Sequence, residues 1–141
     1  MFNESRQTWR GEFIDIAPDV ATALGDATAV FNITNPILVL AVGVCIQSAL
    51  GAGNLVVDFD RTIAAGGARG TADAGKVTVP ASSIAGKICI SRAVSIVCNP
   101  GDKITPEITG VSAAGSVFHF IEYVNQPESD ANMTQGVIVS A

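Results

Sequence analysis

Charge is scarce in this chain: only 15% of its 141 residues are Asp, Glu, Lys or Arg, against 48% hydrophobic residues and a mean hydropathy of +0.42. A disordered polyelectrolyte is excluded, because this much apolar surface must be buried. Soluble domains ordinarily carry about 25% charge, so the shortfall points to a subunit partly covered by other protein. Basic clusters are missing as well. The 8 Lys and Arg residues are scattered among 13 acidic ones, for a net charge of -5. Without a basic patch there is no footprint for a phosphate backbone, and nucleic acid is not an expected partner.

Cysteine and histidine are few, with Cys45, Cys89 and Cys98 widely spaced and His119 the sole histidine. An odd trio of cysteines defines no disulfide framework. No Cys-x-x-Cys or second histidine supplies a zinc spacing, so neither metal nor cofactor is expected. The segment MFNESRQTWR lacks an apolar export core, and the expectation is synthesis in a reducing cytoplasm with unbridged thiols. Long apolar runs are also wanting. Residues 27–57 carry no charge, but the uninterrupted apolar stretch is only residues 37–46, whereas a membrane helix needs about 20 residues. No membrane partner is expected.

No 3.6-residue apolar period persists along the chain. What recurs instead is short runs rich in Val, Ile, Phe and Thr, at 29–34, 38–47, 55–60, 76–79, 88–90, 94–97, 104–109, 117–124 and 136–139. Turn chemistry separates them: Asn35-Pro36, Gly51-Ala52-Gly53, Gly66-Gly67 and Asn99-Pro100-Gly101. The expectation is an all-β, two-sheet β-sandwich of jelly-roll type, one domain over residues 11–141. Residues 1–10 read as a short N-terminal arm, polar apart from Phe2 and Trp9 and without a periodic apolar face, while Trp9 to Ile16 alternates as an imperfect strand that Pro18 ends. Residues 61–75 and 125–135 read as long loops, and long loops in compact domains are commonly functional.

Three sets of residues invite a chemical reading. Gly70 to Lys76 imitates a phosphate-binding loop, but Val77 stands where a magnesium-ligating hydroxyl belongs, and Val77-Thr78-Val79-Pro80 reads as strand rather than helix. Cys45, Cys98 and His119 supply the residue types of a nucleophilic site, yet each lies inside an apolar strand and reads as packing. Asp58 and Asp60 share one strand face, with Asp102 and Glu107 as further acids, and read as a solvated polar face. No catalytic residue is assigned, and the chain is not expected to be an enzyme.

The segment 37–47 is more informative. Leu38, Leu40, Val42, Val44 and Ile46 would form a bulky core face. The alternate set, Ile37, Val39, Ala41, Gly43 and Cys45, is small and apolar, unsuited to water but suited to close approach by a second layer or loop of the same chain or by a second copy. Ile37, Val39, Ala41 and Gly43 are therefore the candidate oligomer-interface residues. Residues 117–124 likewise look covered on both faces.

The run Ala29-Val30-Phe31-Asn32-Ile33-Thr34-Asn35-Pro36-Ile37-Leu38-Val39, with Gly43 and Gln47 after it, resembles small all-β structural proteins of tailed bacteriophages. Asn99-Pro100-Gly101-Asp102-Lys103-Ile104 and Gly115-Ser116-Val117-Phe118-His119-Phe120-Ile121-Glu122-Tyr123 resemble the closing strands of the same proteins. The resemblance implies a capsid decoration, or cement, protein: a trimer on the outer surface of the virion that binds the major capsid protein and stabilises the assembled shell. Phe2 and Trp9 are then the candidate capsid-interface residues, because large aromatics dominate desolvated interfaces. The alternative is a receptor- or glycan-binding fibre head using the two long loops.

Overall fold

The computed structural model describes residues 6–15, 31–64, 72–92, 94–110 and 114–126. Nine strands run through them: β1 (Gln7–Asp15), β2 (Phe31–Asn32), β3 (Ile37–Ser48), β4 (Leu55–Thr62), β5 (Ala72–Val79), β6 (Ile88–Ser91), β7 (Ile96–Cys98), β8 (Lys103–Gly110) and β9 (Ser116–Asn125). Two antiparallel sheets result. The five-stranded sheet has the order β1-β9-β3-β6, with β7 also paired to β3, and the four-stranded sheet has the order β2-β8-β4-β5. The expected all-β sandwich is the observed architecture. The run at 136–139 lies outside the described residues, as do residues 65–71 and 127–135 of the two expected loops. β4 and β5 extend into the first of those loops from either side.

The core lies between the sheets. Val42, Val44 and Ile46 of β3 and Ile121 of β9 face Leu55, Val57 and Phe59 of β4 and Ile104 of β8, all nearly or fully buried. Burying a side chain of this size contributes about 1.5–3 kcal/mol, which is why strand alternation selects these positions. At the turn before β8, Asp102 is buried and its carboxylate accepts the amide N–H groups of Asn99 (2.9 Å) and Ala64 (3.0 Å). It ties that turn to the end of β4 and is absent from the polar face on which Asp58 and Glu107 pair.

Two expectations need correction. In β3, Ile37 and Val39 are core residues, with exposures of 4% and 0%, while Leu38 and Leu40 are only half-buried. The pairing of β3 with β9 shifts register between Val39 and Ala41. One inserted residue reverses the alternation, so the inward set is Ile37 and Val39 before the bulge and Val42, Val44 and Ile46 after it. Ile37 and Val39 are thus unavailable as oligomer contacts.

The arm is the second correction. β1 begins at Gln7 and pairs along β9, with Gln7 opposite Tyr123 and Trp9 opposite Ile121. Trp9 packs edge-on against Phe31, ring centroids 5.2 Å apart, and against Tyr123 at 6.5 Å. The Tyr123 hydroxyl donates to Gln7 Oε1 at 2.9 Å. Trp9 is therefore a wall of the sandwich and no free anchor. Its partner strand lies more than a hundred residues away, and a register shift between Arg10 and Phe13 breaks the local alternation. Phe2 lies outside the described residues.

Candidate functional site

The outer face of the five-stranded sheet follows from which residues alternate with the core set. Pairing places Arg10, Phe120, Gly43 and Ile90 in one row across β1, β9, β3 and β6, and Phe118, Cys45 and Ile88 in the next. With Thr8, Arg92 and Glu122 they line a shallow hollow of about 310 Å³. Its floor is apolar and its rim is charged.

Gly43 makes the floor flat. The Phe120 ring lies directly on its backbone, where a Cβ would collide with Cζ and come within 2.6 Å of Cε1 and 2.7 Å of Cε2. Only glycine leaves room for this ring, which is why it is just 8% exposed although it projects from the outer face. Ile88 remains 60% exposed beside it. The Arg10 guanidinium sits 4.5 Å from the Phe118 ring centroid, a cation–π contact that covers one ring face and keeps the charge in water. Glu122 receives Arg6 Nη1 at 3.2 Å and Arg92 Nη1 at 3.4 Å. Exposed pairs of this kind add little stability. Their effect is to hold the cationic rim in place around the apolar floor.

The opposite surface of the sandwich differs. On the four-stranded sheet, Asp58 stands between Lys76 and Glu107 on the neighbouring strands, with Lys76 Nζ 4.0 Å from Asp58 Oδ2. That face is polar and acidic, as the alternation of Asp58 and Asp60 implied. Among the described residues the exposed large apolar side chains are Ile88 and Val97 on the five-stranded sheet, Ile63, less exposed at 37%, just past the end of β4, and Ile84, 71% exposed, on the loop leading into β6. That loop is pinned by amide N–H bonds from Gly86 to the Ile46 carbonyl (2.8 Å) and from Leu50 to the Ser83 carbonyl (2.9 Å).

Of the candidate oligomer residues, Ala41 and Gly43 lie on this outer face and Ile37 and Val39 on the inner one. Phe118, Phe120, Ile88, Ile90, Arg10 and Arg92 belong to it and were not singled out from the sequence. The available signal was the double-sided apolar character of 117–124, together with isoleucines two apart at 88 and 90.

The residue types for nucleophilic chemistry are held apart. Cys45 lines the outer hollow, whereas His119 points inward, fully buried, with its ring edge-on to Phe59 at 5.9 Å. Cys98 is in the core, and burial, reinforced by Asp102, pushes its thiol up to about 11, so it is no thiolate at neutral pH. Burial alone pushes the His119 imidazole down to about 4. Residues 72–76 of the loop-like motif form part of β5 and therefore lack the helical amide cradle of a phosphate site. Among the described residues no helix is long and apolar enough to cross a membrane.

No protein-family model and no curated protein matches the chain. Among solved structures it is similar to the Eiger TNF of S. frugiperda, with a TM-score of 0.51 and 14% identity over 87% of this chain and 92% of that one. A likeness at that identity concerns the fold alone, and it agrees with the two sheets found here: the chain is an all-β, two-sheet sandwich of jelly-roll type.

Proposed function

We propose that this chain is a non-enzymatic structural subunit that self-associates, as a trimer, through the outer face of its five-stranded sheet, and that it decorates and stabilises a tailed-phage capsid. One observation carries the association: an apolar floor of Phe118, Phe120, Ile88 and Ile90 on one sheet, against an acidic, polar outer face on the other. Large side chains gain about 1.5–3 kcal/mol each on full burial, and association costs about 4–15 kcal/mol. Several must be buried together for a stable contact, and this is the face that offers several. The Arg10, Arg92 and Glu122 rim supplies both signs of charge, so copies of the same face need not repel.

The assignment to a phage shell is supported by the resemblance of residues 29–47 and 96–124. In the sandwich these segments supply β2, β3, β7, β8 and β9, which include the strand that carries Phe118 and Phe120. A cement protein of this kind binds the assembled shell and not the free major capsid protein, so its binding free energy adds to shell stability by mass action. Its site of action is the virion surface. With Trp9 committed to the sandwich, the proposal for a shell contact from the arm rests on Phe2, which lies outside the described residues.

The test has two arms. Light scattering should give a trimer for the wild type and a monomer for Phe118→Asp with Ile88→Asp, both still folded by circular dichroism. Binding to pre-assembled shells should be saturable and should raise the temperature of shell disruption. A monomeric wild type overturns the association, and a trimer that leaves shells unbound overturns the decoration role.

A further inference from the structure

The only histidine of the chain sits at a telling place. His119 is 0% exposed in the middle of β9, between Phe118 and Phe120, and neither Nδ1 nor Nε2 has a hydrogen-bond partner. Resting on the association reading above, we propose that His119 is an acid-sensitive release device: a proton on its imidazole drives β9 apart from the core and so disperses the outer face that Phe118 and Phe120 form.

The argument is geometric. A neutral imidazole between the sheets, edge-on to Phe59, already leaves one donor and one acceptor unpaired. An imidazolium there would be a charge with two donors unpaired and no counter-ion among the described side chains, a far costlier state. Among the side chains that are described, the ionisable groups of the surrounding strands face elsewhere. On β4, Asp58 and Asp60 alternate with Phe59 and belong to the opposite surface of the four-stranded sheet. On β1, Arg10 lies over Phe118, and on β3, Cys45 lines the outer hollow. On β9 itself, Glu122 faces outward to Arg6 and Arg92, and the Tyr123 hydroxyl is spent on Gln7. Arg61 of β4 donates to the Val97 carbonyl at 2.8 Å, and Cys98 lies beside Asp102. The lowered basicity of His119 has burial as its cause.

A route for yielding is also present. His119 is opposite Val44 on β3, but on its other side it meets the register shift of β1 between Arg10 and Phe13, where the ladder is interrupted. Relief of the buried charge requires β9 to turn or leave at that point. Any such movement carries Phe118 and Phe120 with it, because they are the adjacent residues of the same strand.

The direction in pH follows from linkage. The unfolded imidazole titrates near 6.5 and the folded one near 4, so the unfolded chain binds more protons between these values. The contribution of His119 is complete above pH 6.5 and is lost as pH falls toward 4. The corresponding change in the unfolding equilibrium constant is about 100-fold.

Being the sole histidine, His119 gives a single set of imidazole NMR signals, whose midpoint should lie near 4 in the folded protein; a midpoint near 6.5 would overturn the proposal. Wild type, His119→Leu and His119→Gln are then followed from pH 7.5 to 4.0 by denaturant unfolding at fixed protomer concentration and by light scattering. The wild type should lose stability about 100-fold more than either variant and should dissociate over the same window, while a folded variant stays associated. Parallel unfolding curves refute the switch even if the protein is a trimer. A wild type already monomeric at pH 7.5 refutes the association reading and the release step with it, and the imidazole midpoint then reports on burial alone.

Discussion

Replacing Gly43 by alanine tests whether the Phe120 ring is seated as described, because two opposing effects give opposite signs. In an ordinary strand, alanine should stabilise by about 0.5–1 kcal/mol, since glycine loses more backbone freedom on folding. Here the added Cβ would stand 2.6–2.7 Å from Phe120 Cε1 and Cε2, whereas carbon atoms rest about 3.5–4.0 Å apart. The ring must therefore retreat by about 1 Å or swing off the sheet. Overpacking of this kind costs about 1–3 kcal/mol, and full exposure of a phenylalanine costs a similar amount. The net expectation is destabilisation of about 1–2 kcal/mol. In a Phe120→Ala background the collision is gone, and Gly43→Ala should become neutral or stabilising, so the double-mutant cycle should show a coupling of about 2 kcal/mol. Denaturant unfolding of the four proteins at one protomer concentration measures it. Additive effects, or a stabilised Gly43→Ala single variant, would refute the packing of Phe120 on Gly43.

Trp9→Ala should destabilise the sandwich by about 3–5 kcal/mol, in keeping with aromatic-to-alanine changes in cores; deletion of residues 1–10, which removes Gln7 to Arg10 of β1, should lower the thermal unfolding temperature sharply. Asp102→Ala should cost about 1–3 kcal/mol, since the Asn99 and Ala64 amides lose their acceptor, and Asp102→Asn should recover part of it in the same unfolding assay. Native alkylation followed by peptide mass spectrometry at pH 8 should modify the half-buried Cys45 well before Cys98, whose thiol is buried and raised to about 11; equal rates would contradict its place in the core.

The existence and order of the strands were legible in the sequence because they depend on local chemistry. Val-, Ile- and Phe-rich runs between Asn-Pro, Gly-x-Gly and Asn-Pro-Gly turns admit little but short extended segments, and those segments bury their apolar side chains by forming two sheets. The poverty of charge raised the expectation of a covered surface, and Gly43 was noticed within the small apolar set along 37–47. Which side of each strand faces inward was settled only by pairing. A register shift between Val39 and Ala41 sends Ile37 and Val39 into the core, and no local pattern marks it, since both sets along 37–47 are apolar. Trp9 looked unattached because the strand that gives it a register, β9, is more than a hundred residues distant. Residues 117–124 looked covered on both faces and His119 like one more packed strand position; a glycine on β3 and a bulge on β1 decide that the Phe120 ring lies flat outside and that the imidazole is buried within. Strand formation is a property of neighbours along the chain, whereas a face, a floor and a buried unpaired nitrogen are properties of neighbours across the sheet, and these come into being only when the sheets close.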